Sequence, residues 1–245
     1  MSALTLLAPS RFWRVFLSDA KNVRRDPTLL AATLMSQLPA PAVAFWTGEF
    51  DKLAMLIPGN PPLGTYAAVI SIVLPAFLIG WVTGFLMLED RDDGPLMALD
   101  VSPPGKGGFL VYRLVATVVI CVALTYFSAA FVLPQVSPAL TGVIGIFVAL
   151  EAAAVAITYP ALARNKVEGL ALTKLLNILS FLPVLAAAPS AWRFVAGVIP
   201  PFWVGEIAGL SGARALPPVM SIPIALAVHL GVLFLLYRLL QSRAG

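Results

Sequence analysis

Glu89-Asp90-Arg91-Asp92-Asp93-Gly94-Pro95-Leu96-Met97-Ala98-Leu99-Asp100-Val101-Ser102-Pro103-Pro104 carries four acids and a base in its first five positions. On either side the chain has almost no charge: residues 53–88 contain none over 36 positions, and residues 114–150 none over 37. Placing those acids in hydrocarbon would cost several kcal/mol, so the segment belongs in water between two membrane spans. It is a loop that two long apolar helices present to something else.

Composition agrees with that reading. Hydrophobic residues make up 60% of the 245 positions and charged residues 11%, whereas an ordinary soluble domain has roughly 25% charged. A helix needs about 20 apolar residues to cross a bilayer, so the chain has room for about six spans and little else. The lone Cys121 excludes an internal disulfide and sits in an apolar run, where packing is its natural role. A pI near 9.5 does not indicate nucleic-acid binding, because the basic residues sort by topology.

Working outward from the loop, the expected spans cover residues 27–48, 65–88, 109–131, 139–159, 170–188 and 219–237. Pro39 and Pro41 lie inside the first and should bend or break it. Gly80 and Gly84 in the second have the spacing that lets a neighbouring helix come close. Leu133-Pro134-Gln135-Val136-Ser137-Pro138 divides the second uncharged run into two helices. Arg164-Asn165-Lys166-Val167-Glu168-Gly169 forms another polar return loop, and Lys174 lies close enough to the next span's start to snorkel. Residues 189–216 are too broken for a plain span and suit a re-entrant or interfacial hairpin, with Trp203 and Glu206 facing the surface.

The first 26 residues contain Arg11, Arg14, Lys21, Arg24 and Arg25 with no long uncharged run ahead of them, which is unlike an export signal. At helical spacing Phe12, Trp13, Phe16, Ala20 and Val23 fall on one side and the basic residues on the other. That pattern predicts an interfacial helix over about residues 10–26, lying on anionic lipid. With both termini and the 89–108 and 160–169 loops on one side, thirteen basic residues stand there against Lys52, Arg193 and Arg214 on the other. The rule of positive cytoplasmic loops puts the first set inside the cell, in the plasma or inner membrane.

The few polar residues inside the spans have two readings each. Glu151 must be paired, face a cavity or be protonated, so it is either buried polar support or part of a translocation path. His229 alone cannot build a structural metal site, and helix packing is its plainer role. Asn177 is a third candidate for path or support. Glu206 caps a helix, lines an exit or keeps its hairpin from crossing the membrane. No nucleophile–base set or paired carboxylate suggests a catalytic site.

Three of these segments together resemble the permease subunits of ABC-2 type exporters, including the branch labelled as fluoroquinolone export permeases. Residues 89–103 are similar to the loop after the second span of that family, with its glutamate, glycine, leucine pair and terminal Ser-Pro. Pro95 departs from it, since many members have threonine there. Residues 164–171, followed by Lys174 and Asn177, are similar to the family segment before the fifth span, and Pro200-Pro201-Phe202-Trp203 to the element between the last two.

The resemblance implies a single all-α ABC-2 transmembrane domain over residues 1–245 with six spans, an N-terminal interfacial helix and a short hairpin before the last span. It implies a coupling segment, here Glu89, Asp90, Arg91, Asp92, Asp93, Gly94, Leu96, Leu99, Ser102 and Pro103, and a second cytoplasmic loop with Arg164, Asn165, Lys166, Glu168 and Gly169. It also implies partners: two copies of an ATP-binding subunit that carry ATP and Mg²⁺, and a second permease chain. This chain has no phosphate-binding loop, because Gly105-Lys106-Gly107 lacks the leading glycine and the following hydroxyl. A proton-coupled transporter, or a membrane adaptor or sensor that moves nothing, is the alternative. The Ala-, Val- and Leu-rich spans suit an amphiphilic or apolar cargo.

Overall fold

The computed structural model describes residues 9–55, 63–92 and 105–244, and among them every regular element is helical. In chain order these are α1 (Pro9–Arg25), α2 (Pro27–Met35), α3 (Pro39–Met55), α4 (Leu63–Asp92), α5 (Gly105–Val132), α6 (Pro138–Leu162), α7 (Lys166–Leu179), α8 (Pro201–Ile207) and α9 (Pro218–Ala244). Short 3₁₀ turns at Leu182–Ala187, Ala191–Val198 and Gly212–Arg214 flank α8. Five segments are long and apolar enough to cross a bilayer: Leu63–Arg91, Gly108–Val132, Pro138–Leu162, Lys166–Ala187 and Pro218–Ser242. The pair α2 and α3, bent by 43°, is a sixth candidate if the two are counted as one broken span. The chain is an all-α polytopic membrane protein.

The bend in the first span has a local cause. Pro39 opens α3 instead of interrupting a helix, because a proline needs no amide partner in a first turn. The chain ends α2 at Met35 and restarts four residues later at Pro39, and α3 continues past the expected boundary at Gly48 to Met55. Before α2, the Asp26 carboxylate caps the helix by accepting from the amides of Thr28 at 2.8 Å and Leu29 at 3.2 Å.

α6 is the centre of the bundle. Its residues from Phe147 to Ala161 are almost all buried, with α4 on one side and α5 and α9 on others. The α4–α6 contact is close because of two glycines. A Cβ at Gly80 would stand 2.7 Å from the Ala152 carbonyl oxygen, and one at Gly84 3.0 Å from that of Ala156. The four-residue glycine spacing therefore marks a backbone-to-backbone approach. By contrast, Leu175 and Ile178 on α7 and Leu230, Phe234 and Leu235 on α9 point outward as exposed apolar side chains.

Two further boundaries, both at charged turns, differ from the sequence reading in an instructive way. α4 does not stop at Leu88 but carries Glu89, Asp90, Arg91 and Asp92 as a last helical turn. Charge limits how deep a residue can sit in lipid, not whether its backbone stays helical. The fifth span likewise starts at Lys166, not near Leu170, because Asn165 caps it. The Asn165 Oδ1 accepts from the Glu168 amide at 3.0 Å, and the Glu168 carboxylate accepts from the Arg164 amide at 2.7 Å.

Candidate functional site

The charged turn that ends α4 is a hub. Glu89, Asp90 and Arg91 are consecutive, so the helix sends them in three directions about 100° apart. Glu89 pairs with Lys166 of α7 at 3.0 Å. Arg91 donates to the carbonyls of Pro160 at 3.4 Å and Ala163 at 2.8 Å, satisfying the open C-terminal end of α6. Asp90 meets Arg113 of α5 at 2.8 Å.

Arg113 joins a third element to this hub. It is buried, and its guanidinium also reaches Asp19 of α1 at 3.3 Å and lies over the Phe109 ring at 4.6 Å. Tyr112 donates to the other Asp19 oxygen at 3.1 Å. Burial pushes the Asp19 carboxyl above its ordinary range, outweighing the opposing pull of Arg113 and the Tyr112 hydroxyl. Phe12 and Phe16 pack beside Tyr112, with Phe12 and Tyr112 edge to face at 5.2 Å, so this part of the α1 apolar face is turned toward α5. Trp13 remains exposed.

The segment between α4 and α5 thus leaves from two helix ends that Arg113 clamps together. Asp92 closes α4, but its side chain lies outside the described residues, as do Asp93, Gly94, Leu96, Leu99, Ser102 and Pro103. Of the expected coupling residues, Glu89, Asp90 and Arg91 are engaged within the chain and do not form a projecting loop. Gly169 is a close-approach position, because a Cβ there would stand 2.8 Å from the Leu88 side chain.

A cleft of about 190 Å³ opens beside the hub. One wall is a stripe on α4, where Trp81, Phe85 and Glu89 follow at four-residue intervals. The facing wall is Lys166 and Leu170, one turn apart on α7, and the Asp26–Leu29 corner at the start of α2 closes the third side. Trp81 and Phe85 meet edge to face at 5.1 Å. Trp81 is 9% exposed, and among the described residues its Nε1 has no hydrogen-bond acceptor.

Deep in the bundle the structure brings together Glu151 and His229, which the sequence offered only as separate candidates. Glu151 Oε1 faces His229 Nε2 at 3.5 Å, and both side chains are buried. His229 Nδ1 lies 2.7 Å from the Ala225 carbonyl oxygen. A carbonyl only accepts, so Nδ1 is the nitrogen that donates there, and Nε2 is the one turned toward the carboxyl group. The Phe147 ring covers the imidazole at 5.0 Å. Asn177, by contrast, is exposed on α7 and cannot serve as buried support within this chain.

The other end of the bundle reverses a sequence expectation. Trp203 and Glu206 do not face the surface: both are buried. The reason is Arg193, which the sequence left as a topological charge. Its guanidinium lies 3.4 Å from Glu206 Oε1 and donates to the carbonyls of Ala186 at 3.1 Å and Arg214 at 2.6 Å. Glu206 also accepts from the Leu216 amide at 2.7 Å and from the Ser211 hydroxyl. Trp203 Nε1 donates to the Gly197 carbonyl at 2.7 Å. Every polar group is matched, so the knot stays inside the protein.

Sequence reasoning missed Asp19, Trp81, Arg113 and Arg193 as members of these sites. A signal for Arg113 was available, since it stands at the ninth position of a helix whose other charge is Lys106 near its start, with nothing but uncharged residues beyond it. Nothing comparable marked Trp81.

Known proteins match nearly the whole chain. The family model described as "Fluoroquinolones export permease protein Rv2686c-like" covers residues 19–237. Two relatives from Mycobacterium tuberculosis, the fluoroquinolones export permease proteins Rv2686c of strain H37Rv and MT2760 of strain CDC 1551, are each 28% identical over 215 residues, covering 84% of this chain and 85% of their own. This all-helical membrane chain, with its clamped charged turn, belongs to the Rv2686c-like family of export permeases.

Proposed function

We propose that the chain is the transmembrane subunit of an ATP-driven exporter, paired with a second permease chain and powered by two separate ATP-binding subunits that hold ATP and Mg²⁺. The observation that carries this reading is the Arg113 clamp. A partner gripping residues 93–104 would act on α4 and α5 at once, on α1 through Asp19, and on α6 and α7 through Arg91 and Glu89. Force applied at one short segment therefore reaches most of the bundle. The resemblance of that segment to ABC-2 coupling loops supports the same assignment. In this reading the hub, both termini and Asp93 lie in the cytoplasm.

The cargo we propose is an amphiphilic small molecule, and the names of the relatives make fluoroquinolones the first class to examine. Export from cells expressing the chain with its ATP-binding subunit, measured beside Leu96→Asp and Leu99→Asp variants, tests the mechanism. The variants should insert normally and lose partner-dependent export and ATP turnover together. Full export by both, or labelling of a cysteine at position 93 only from outside the cell, would refute it.

One observation favours a second reading. The buried Glu151 and His229 face each other at 3.5 Å within the bundle, two proton-binding groups of the kind a proton-coupled carrier would need. Export that collapses with a protonophore yet persists without nucleotide or partner would select that mechanism.

A further inference from the structure

We propose that the outward face of α7 around Asn177 is where two copies of this chain meet, like against like, about a two-fold axis along the membrane normal. This rests on the exporter reading, which calls for a second permease chain. The fifth and last spans, Lys166–Ala187 and Pro218–Ser242, are each only 17% buried within the chain. Lipid covers apolar surface of that kind, so exposure by itself decides nothing. The two spans differ in what they expose.

Along α9 the outward side chains are apolar. Leu226, Leu230 and Phe234 follow at four-residue intervals, and His229, the polar residue among them, is turned inward. That face suits hydrocarbon and needs no partner.

On α7 Asn177 is exposed, eleven residues beyond Lys166. It therefore stands about 16 Å along the helix from the charged turn where Lys166 meets Glu89, near the middle of a hydrocarbon layer about 30 Å thick. A lipid tail at that depth neither donates nor accepts, and no group among the described residues bonds to the carboxamide. An amide left so is costly. Its side chain is too short to reach interfacial water, unlike that of Lys174, whose long stem leans back toward the Lys166 end of the helix.

The amide also specifies what covers it. A carboxamide is self-complementary: its N–H donates to a second carboxamide's oxygen while its own oxygen accepts in return. Two-fold symmetry supplies that second group at the right height, because each residue beside the axis faces its own copy. The neighbouring residues suit a helix pair. Leu170, Lys174 and Asn177 lie within about 60° of one another, and Phe181 follows one turn higher. These are the alternating four- and three-residue steps of a two-helix seam. Leu170 and Phe181 are 51% and 59% exposed, so each has surface to bury on its counterpart, below and above the amides. The two Lys174 ammonium groups are the unfavourable part of the seam, and their reach to water lets them diverge.

The test uses the full-length chain in bilayers, with copies carrying donor and acceptor fluorophores at the C-terminus, and reads self-association by energy transfer. Asn177→Leu keeps the shape of the side chain, removes the amide and makes the face more apolar. It should weaken association about three- to thirtyfold, and Asn177→Gln should recover part of the loss. Phe234→Ala on α9 should leave association unchanged. Oxidative cross-linking reads the geometry separately. Asn177→Cys should link two copies, whereas Leu175→Cys, equally outward but about 160° round the helix, should not; Cys121 is buried and does not compete.

Association that Asn177→Leu strengthens or leaves unchanged overturns the proposal. So does linkage by Leu175→Cys as strong as that by Asn177→Cys, and so does a chain that is monomeric alone and pairs only with a different permease. Failure here is separable from failure of the exporter reading: pairing through Asn177 without nucleotide-driven export counts against the drive, whereas such export with association indifferent to Asn177→Leu counts against this face.

Discussion

An arginine meets carboxylates at both ends of the bundle, and the two settings differ in how completely the charges are enclosed. Around Arg193 the Glu206 side chain is fully inaccessible, and backbone groups from Ala186, Arg214 and Leu216 complete the network. Around Arg113 the acids come from two different helices and remain 18% and 19% exposed. The nearby Glu89–Lys166 pair is more open still. A closed knot holds one arrangement, because any displacement leaves a buried charge unmatched. The Glu89–Lys166 pair keeps water and can trade partners at little cost, whereas Arg113 itself is as enclosed as Arg193 and only its acids are partly wet.

The contrast is broken most decisively at Glu206. Changing it to alanine strands Arg193 in the protein interior and should cost about 3–5 kcal/mol, read as a large fall in thermal stability of the detergent-purified chain. A loss below about 1 kcal/mol would mean that water already reaches the knot. Arg113→Met comes next, at about 1–3 kcal/mol, because the two acids it abandons can partly rehydrate. That variant should also loosen α1, seen as faster hydrogen exchange in residues 12–25 than in α8.

Lys166→Gln should change stability by about 0–1 kcal/mol, an effect that shrinks further in high salt. A larger and salt-independent loss would place that pair with the closed type. The smallest effect expected is at Asp19, whose carboxyl is raised above 3.8 by burial. Between 3.8 and its higher folded value the native chain binds more protons than the unfolded one, so this group's contribution to stability declines as pH rises through that window. Asp19→Asn has no such slope, and the unaltered chain should gain on it as pH falls toward about 4. Parallel stability curves for the two would remove the evidence that Asp19 is desolvated.

The spans could be read from the sequence because lipid imposes a simple rule: 20 or more uncharged residues with polar breaks between them have few other solutions. The break near Pro39 and the close glycine contact at Gly80 followed from covalent geometry. The pairs did not. Glu151 and His229 are 78 positions apart, and Arg113 and Asp19 are 94 apart, so only tertiary packing decides that they meet. Glu206 was expected at the surface because an isolated acid belongs there, and the error came from not seeing that a folded-back segment supplies Arg193 and Ser211. Trp81 looked like one more apolar residue, since sequence does not reveal whether an indole N–H finds an acceptor.

The glycine contact between α4 and α6 sets the kind of motion available to the bundle. Where backbones touch through Gly80 and Gly84 there is no layer of flexible side chains to yield, so the two helices resist shear along their common seam. They can pivot only as a single wedge. A push delivered at the foot of α4 would then arrive at mid-membrane undiminished, and it would carry Glu151, one residue before the Ala152 carbonyl that Gly80 abuts, toward or away from its imidazole partner.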